Sequence, residues 1–141
     1  MTTPVEIDPA VFTAPDYLPG TVRHIVLFGL RPEVDAATRD ELVARFRALV
    51  DGQRPDGRRP VVSVEAGEQI ALEPPASGHD LGFVVTFASQ GDRNYYAGRP
   101  MVDDERFIDP RHDEFKAFVG PLLLPGAEGC LVFDLADPTA D

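Results

Sequence analysis

TVRHIVLFGL, residues 21–30, reads as a β-strand that is apolar on both sides. Successive strand side chains point in opposite directions, so Val22, His24, Val26 and Phe28 share one face while Ile25 and Leu27 take the other. A strand with one solvated face would alternate apolar with polar residues. This one needs cover on both sides. The first cover follows directly in PEVDAATRDELVARFRALV (32–50), where Leu42, Val43, Phe46, Leu49 and Val50 recur at helical spacing behind a capping Asp35.

Working outward, VVSVEAGEQI (61–70) and HDLGFVVTFA (79–88) are two further strands, set off by the turn-rich loops DGQRPDGRRP (51–60) and LEPPASG (72–78). Leu81, Phe83, Val85 and Phe87 share one face of the third strand. QGDRNYYAG (90–98) predicts a short helix and RPMVDDERFI (99–108) a loop. A helix capped by Asp109 then runs to Gly120 and Pro121, and GCLVFDL (129–135) is the last strand. The order β-α-β-β-α-β predicts an α+β, ferredoxin-like fold, with two helices on one face of a four-stranded antiparallel sheet. Those helices leave the second face bare, although strand 4 sets Leu131, Phe133 and Leu135 opposite Cys130 and Val132. A second copy of the chain is the simplest cover, which makes the expected assembly a homodimer, a dimeric α/β barrel. Residues 21–135 form the expected domain. Residues 1–20, with four prolines, form an extended arm, either pinned through Val11, Phe12, Tyr17 and Leu18 or left as a disordered tail. Residues 136–141 form a polar tail.

At 141 residues and 43% hydrophobic content, the chain fits one globular domain. A net charge of −11 argues against nucleic acid and anionic membranes as partners, both being polyanionic. No stretch approaches the roughly 18 apolar residues of a membrane span, and no basic-then-apolar signal pattern opens the chain. The single cysteine, Cys130, suits a reducing cytoplasm and is expected to be buried and inert in its strand. Three histidines far apart show no metal-ligand spacing, and there is no Gly-rich phosphate loop, so neither metal nor cofactor is expected.

The chemistry therefore centres on histidine. With Asp109 as cap, His112 falls at the third helical position, on the stripe of Phe115 and Val119. Helix dipole and burial both disfavour an imidazolium there, so His112 is expected to be neutral with a lowered pKa and able to serve as general base. The bland account is a packed histidine without chemistry. His24, mid-strand, either steadies a substrate oxygen, orients His112, or is a core histidine satisfied by a carbonyl. One of Tyr95 and Tyr96 faces inward, to hydrogen-bond an enolate oxygen or merely to pack. Arg99 and Arg106 bracket the loop before the helix; either could grip a substrate carboxylate, or both belong to a surface ion network. That loop is well placed to be a lid. His79 is expected to be exposed and without a role.

VRHIVLFGL, VEAGEQI, GFVVTF, DPRHDEFKAFVGPLL and LVFDL together resemble the stress-responsive dimeric A/B barrel (Dabb) family over about residues 21–135. The strand histidine and the D/H-P-x-H-x-x-F helix opening are the most specific parts. The resemblance implies a ferredoxin-like protomer paired sheet to sheet. The family includes plant stress proteins and the cofactor-free polyketide cyclase that makes olivetolic acid. On that resemblance, His112 and His24 match two of the cyclase's site histidines. Its tyrosine falls on Arg106 by counting, or on Tyr95 or Tyr96 if the loop is longer here, and its strand 3 histidine falls on Leu81. The implied function is a cofactor-independent proton transfer, an aldol- or Claisen-type cyclisation of a polyketide-like substrate. His112 would be the base, His24 or Tyr96 would steady the oxygen, and Tyr95, Arg106, Leu81, Phe83 and Phe115 would line the substrate pocket. The alternatives are a non-catalytic stress-response barrel that holds a small apolar ligand, and a monooxygenase of the related dimeric barrels.

Overall fold

β1 (Pro19–Phe28) and β3 (Leu81–Ser89) are the inner strands of a four-stranded sheet, flanked by β2 (Val61–Glu68) and β4 (Cys130–Ala136) in the order β2-β3-β1-β4. All three pairings are antiparallel. The computed structural model describes residues 7–74 and 76–137; the first six residues of the expected arm and the last four of the expected tail lie outside them. Helices α2 (Ala36–Ala48) and α4 (Pro110–Val119) pack on one sheet face, with the shorter α3 (Gln90–Ala97) beside them. The fold is ferredoxin-like.

The expected caps hold the helices in place. Asp35 accepts a hydrogen bond from Thr38 N at 2.8 Å, and Asp109 accepts one from Arg111 N at 2.9 Å, with Pro110 in the first turn where a missing N–H costs nothing. Leu42 and Phe46 of α2 and Phe115 and Val119 of α4 are the buried positions that face the sheet. The Phe46 ring lies flat on Phe83, centroids 3.9 Å apart, and meets Phe115 edge-on at 5.2 Å.

The register explains the second apolar face. Ile25 pairs with Phe133 and Leu27 with Leu131, so these side chains point away from the helices together with Val84 and Leu135. Every β4 residue is solvent-exposed in the single chain, Phe133 at 64%. Cys130 is exposed as well, contrary to the expectation of a buried thiol, because β4 is an edge strand with nothing beyond it.

The expected extended arm is different in detail. Residues Pro9–Phe12 form one helical turn (α1), with Asp8 accepting from Ala10 N at 2.9 Å, and β1 begins already at Pro19. Four residues are too few to show a period, but Asp8-Pro9 is a helix-start signature. The turn is clamped to the body. The Arg54 guanidinium donates to Thr13 O at 2.7 Å and to the Asp92 carboxylate at 2.6 Å, and Asn94 donates to Phe12 O at 2.9 Å. Gly91 makes the approach possible, since a Cβ there would lie 1.7 Å from Ala14 O.

Candidate active site

A cavity of about 480 Å³ opens between α4 and the β1–β4 side of the sheet. On the β4 side its wall is made by Cys130 and Val132, the cross-strand partners of Phe28 and Val26. Val26, Phe28, Phe46, Phe115 and Val119 make its walls apolar, while Ala97 at the end of α3 and Arg99 and Met101 of the loop that follows form its rim. Two histidines open into it, His24 from β1 and His112 from α4.

Both rings are anchored through Nδ1. His112 Nδ1–H donates to the Tyr96 carbonyl at 2.5 Å, and because a carbonyl can only accept, the lone pair sits on Nε2. The ring also stacks on Tyr96, 3.8 Å between centroids and 11° between planes. Burial pushes the His112 pKa down from 6.5 to about 3, against the help of the Tyr96 carbonyl, so the ring is neutral at physiological pH. The expected lowering is thus present, with burial as its main cause.

His24 is buried and its Nδ1 meets the Asp134 carboxylate at 2.5 Å. Asp134 is the direct cross-strand partner of His24, and its other oxygen accepts from Arg93 of α3 at 2.8 Å. Burial works to raise the Asp134 pKa, but His24 and Arg93 outweigh it and hold the carboxyl below its ordinary value. Arg93, Asp134 and His24 therefore form a chain that ends in an Nε2 at the cavity. Asp134 and Arg93 were not singled out from sequence. The available signal was one charged residue inside the apolar run LVFDLA, informative only once the β1–β4 register is known.

Of the two roles left open for an inward tyrosine, Tyr96 takes the packing one. Tyr96 is 1% exposed and its ring is wedged between the two histidines, 5.8 Å from His24, with a buried hydroxyl that has no partner among the described residues. Burial raises its pKa, so it stays protonated, and it does not line the cavity. Tyr95 points elsewhere, with the Arg54 guanidinium 4.5 Å above its ring. Arg106 is exposed and pairs with Asp104 at 2.7 Å, remote from the cavity lining. Leu81 and Phe83 belong to the core under α2 rather than to the cavity, because the cavity lies over β1 and β4. Phe115 does line it. His79 is hydrogen-bonded to Ala127 O at 2.8 Å and is not part of the cavity lining.

Lys116, one turn beyond His112, is a further lining residue that went unremarked in the sequence. Its ammonium donates to Ala97 O at 2.5 Å and Arg99 O at 3.1 Å, tying the rim loop to α4. Burial lowers its pKa. Among the described residues, no group of three or more His, Cys, Asp or Glu side chains is arranged to hold a metal ion, and no helix is long and apolar enough to cross a membrane.

The family model of the stress responsive A/B barrel domain (Dabb) matches residues 22–137, nearly the whole described sheet and both long helices. The chain belongs to the Dabb family. Solved structures of similar shape include the Arabidopsis thaliana protein At3g17210, 21% identical, covering 85% of this chain and 98% of that one at a TM-score of 0.62. A hydroxynitrile lyase from Passiflora edulis is 19% identical, with 87% and 98% covered and a TM-score of 0.61. A dimeric ferredoxin-like protein of unknown function from Jannaschia sp. CCS1 is 22% identical, with 84% and 100% covered and a TM-score of 0.61. At such identities the likeness speaks for the Dabb fold alone. No curated protein matches the chain.

Proposed function

We propose that this Dabb protein is a cofactor-independent enzyme that moves a proton within its cavity, as in aldol- or Claisen-type ring closure of a polyketide-like substrate. One observation carries the proposal: two histidines, each donating Nδ1–H backwards, are left with an Nε2 lone pair toward the same apolar cavity. We assign the general base to His24 rather than to His112. The Asp134 carboxylate behind His24 steadies the positive charge that arrives when Nε2 takes a proton, whereas His112 has only a neutral carbonyl behind it and a pKa of about 3. In an aldol-type closure, His24 Nε2 takes a proton from the carbon between two carbonyls. The electron pair of that C–H bond passes into an enolate, whose carbon attacks a second carbonyl, and the new alkoxide takes the proton back. His112 Nε2 accepts a hydrogen bond from an enol or hydroxyl of the substrate and sets its orientation. The Passiflora edulis neighbour is a hydroxynitrile lyase, an activity compatible with such a site on this fold.

The test is a linear tetraketide thioester incubated with the protein, with the ring-closed product followed by mass spectrometry. Turnover is expected without added nucleotide, flavin, haem or metal, and the double variant His24→Ala/His112→Ala should lose at least about 10²-fold. A wild type that binds the thioester and leaves it unchanged would instead favour a ligand-holding barrel.

The same proposal includes a homodimer through the open sheet face. Ile25, Leu27, Val84, Leu131, Phe133 and Leu135 form an apolar surface without a cover in one chain, and the Jannaschia neighbour is described as dimeric. Light scattering should give twice the 15.4 kDa chain mass, and Phe133→Asp should return the protein to monomer. A wild-type monomer at micromolar concentration would refute the pairing.

A further inference from the structure

Lys116 is the sole lysine in a chain whose Lys and Arg total 13, every other one being arginine. Its place is also unusual. It is half-buried on α4, one turn after His112, and lines the cavity. Around it lie Asp113 on the same helix, Arg99 on the rim loop and His112 one turn back. None of these neutralises it: no ion pair forms between Lys116 and a carboxylate among the described residues, and Asp113 is paired with Arg99 at 3.4 Å instead. An ammonium has three N–H donors and no acceptor. Two of the three are spent on the Ala97 and Arg99 carbonyls. Those two bonds fix the nitrogen in position, and they leave the third donor of the ammonium beside an apolar space. An arginine at this position would project a planar fork, whereas an ammonium is a compact point charge.

We propose that the Lys116 ammonium is the oxyanion site of the cavity, its third N–H donating to a substrate carbonyl oxygen as that oxygen turns anionic. This rests on the proton-transfer function proposed above and supplies what the two histidines lack. Each histidine offers only a lone pair toward the cavity, so neither can donate to an enolate in its neutral state. A base without a donor for the developing charge would work against a large uphill step, and a pre-placed cation in a dry site is the usual remedy. The ligand class is therefore a ketone or β-dicarbonyl that ionises to an enolate, bound with that oxygen toward α4 and its apolar remainder against Phe28, Phe46 and Phe115.

The test needs no turnover. 4-Nitrophenol is titrated into the full-length protein over a range of pH, and the visible phenolate band reports how much of the bound probe is ionised. The wild type should bind the phenolate about 10-fold or more tightly than the phenol, the size expected of one opposite charge in a partly buried site. Lys116→Met should still take up the neutral phenol, since the walls remain, but should lose the preference. Lys116→Arg, which keeps donors for the two rim carbonyls, should retain part of it and controls for loosening of the loop. A Lys116→Met variant with the wild-type preference would overturn the proposal, as would a wild type without any preference. Borohydride reduction in the presence of benzaldehyde gives the third outcome: a stoichiometric adduct on Lys116 would make the nitrogen a nucleophile and not a donor. Phenolate preference without tetraketide turnover would sink the enzyme reading while leaving this site intact, and the reverse result would do the opposite.

Discussion

His24→Ala is expected to slow ring closure of the tetraketide probe by about 10²- to 10⁴-fold, the usual range for the loss of a positioned general base. The effect should exceed that of His112→Ala, for which the loss of one orienting hydrogen bond corresponds to on the order of 10-fold. Asp134→Asn provides the finer comparison. An amide can still accept from His24 Nδ1–H, but it cannot steady an imidazolium, and it can rotate to offer its own N–H and force the other tautomer. About 10²-fold is expected there, with the secondary structure by circular dichroism unchanged. Equal losses in all three variants would say that the histidines act as one structural unit, and a dominant His112 effect would return the base to α4.

Phe46→Ala is the variant with the largest expected cost in stability. Phe46 is 1% exposed, lies flat on Phe83, meets Phe115 edge-on and also walls the cavity. Truncating a buried phenylalanine costs about 3–5 kcal/mol, out of a total stability on the order of 5–15 kcal/mol for a domain of ordinary size. Urea unfolding should show the midpoint falling steeply. A loss below about 1 kcal/mol would mean that α2 collapses onto the sheet when the ring is removed, and the cavity would then be deformable rather than preformed.

Much of the fold was legible in the sequence because it rests on period. The two-sided apolar run in 21–30, the helical spacing of Leu42 and Phe46, and the cap at Asp109 each report a local physical constraint, and all are present in the structure. The site was legible only in part. His112 and His24 were identifiable as inward-facing residues on amphipathic elements. Asp134 was not, since its role depends on the pairing of two strands 110 residues apart. The tyrosine pair was ambiguous for a geometric reason: consecutive helical residues point roughly 100° apart, so Tyr95 and Tyr96 cannot share a surface, and which one faces the histidines depends on how α3 is rolled. The exposure of Cys130 was not legible because strand order, and hence which strand is an edge, is not written in the periodicity of any single strand. Lys116 carried a compositional signal, the lone lysine among arginines, that gains meaning only beside a cavity.

The measurement closest to the central claim is a proton–nitrogen correlation spectrum of the histidine rings recorded as a function of pH. Two histidines anchored through Nδ1 and presenting a bare Nε2 to one cavity should both have Nδ1–H as their neutral tautomer. On acidification, His112 should stay neutral far below the ordinary histidine value of about 6.5, because burial holds its pKa near 3. An Nε2–H tautomer on either cavity histidine, or a His112 ring that takes up its proton at 6.5 or above, would contradict the account.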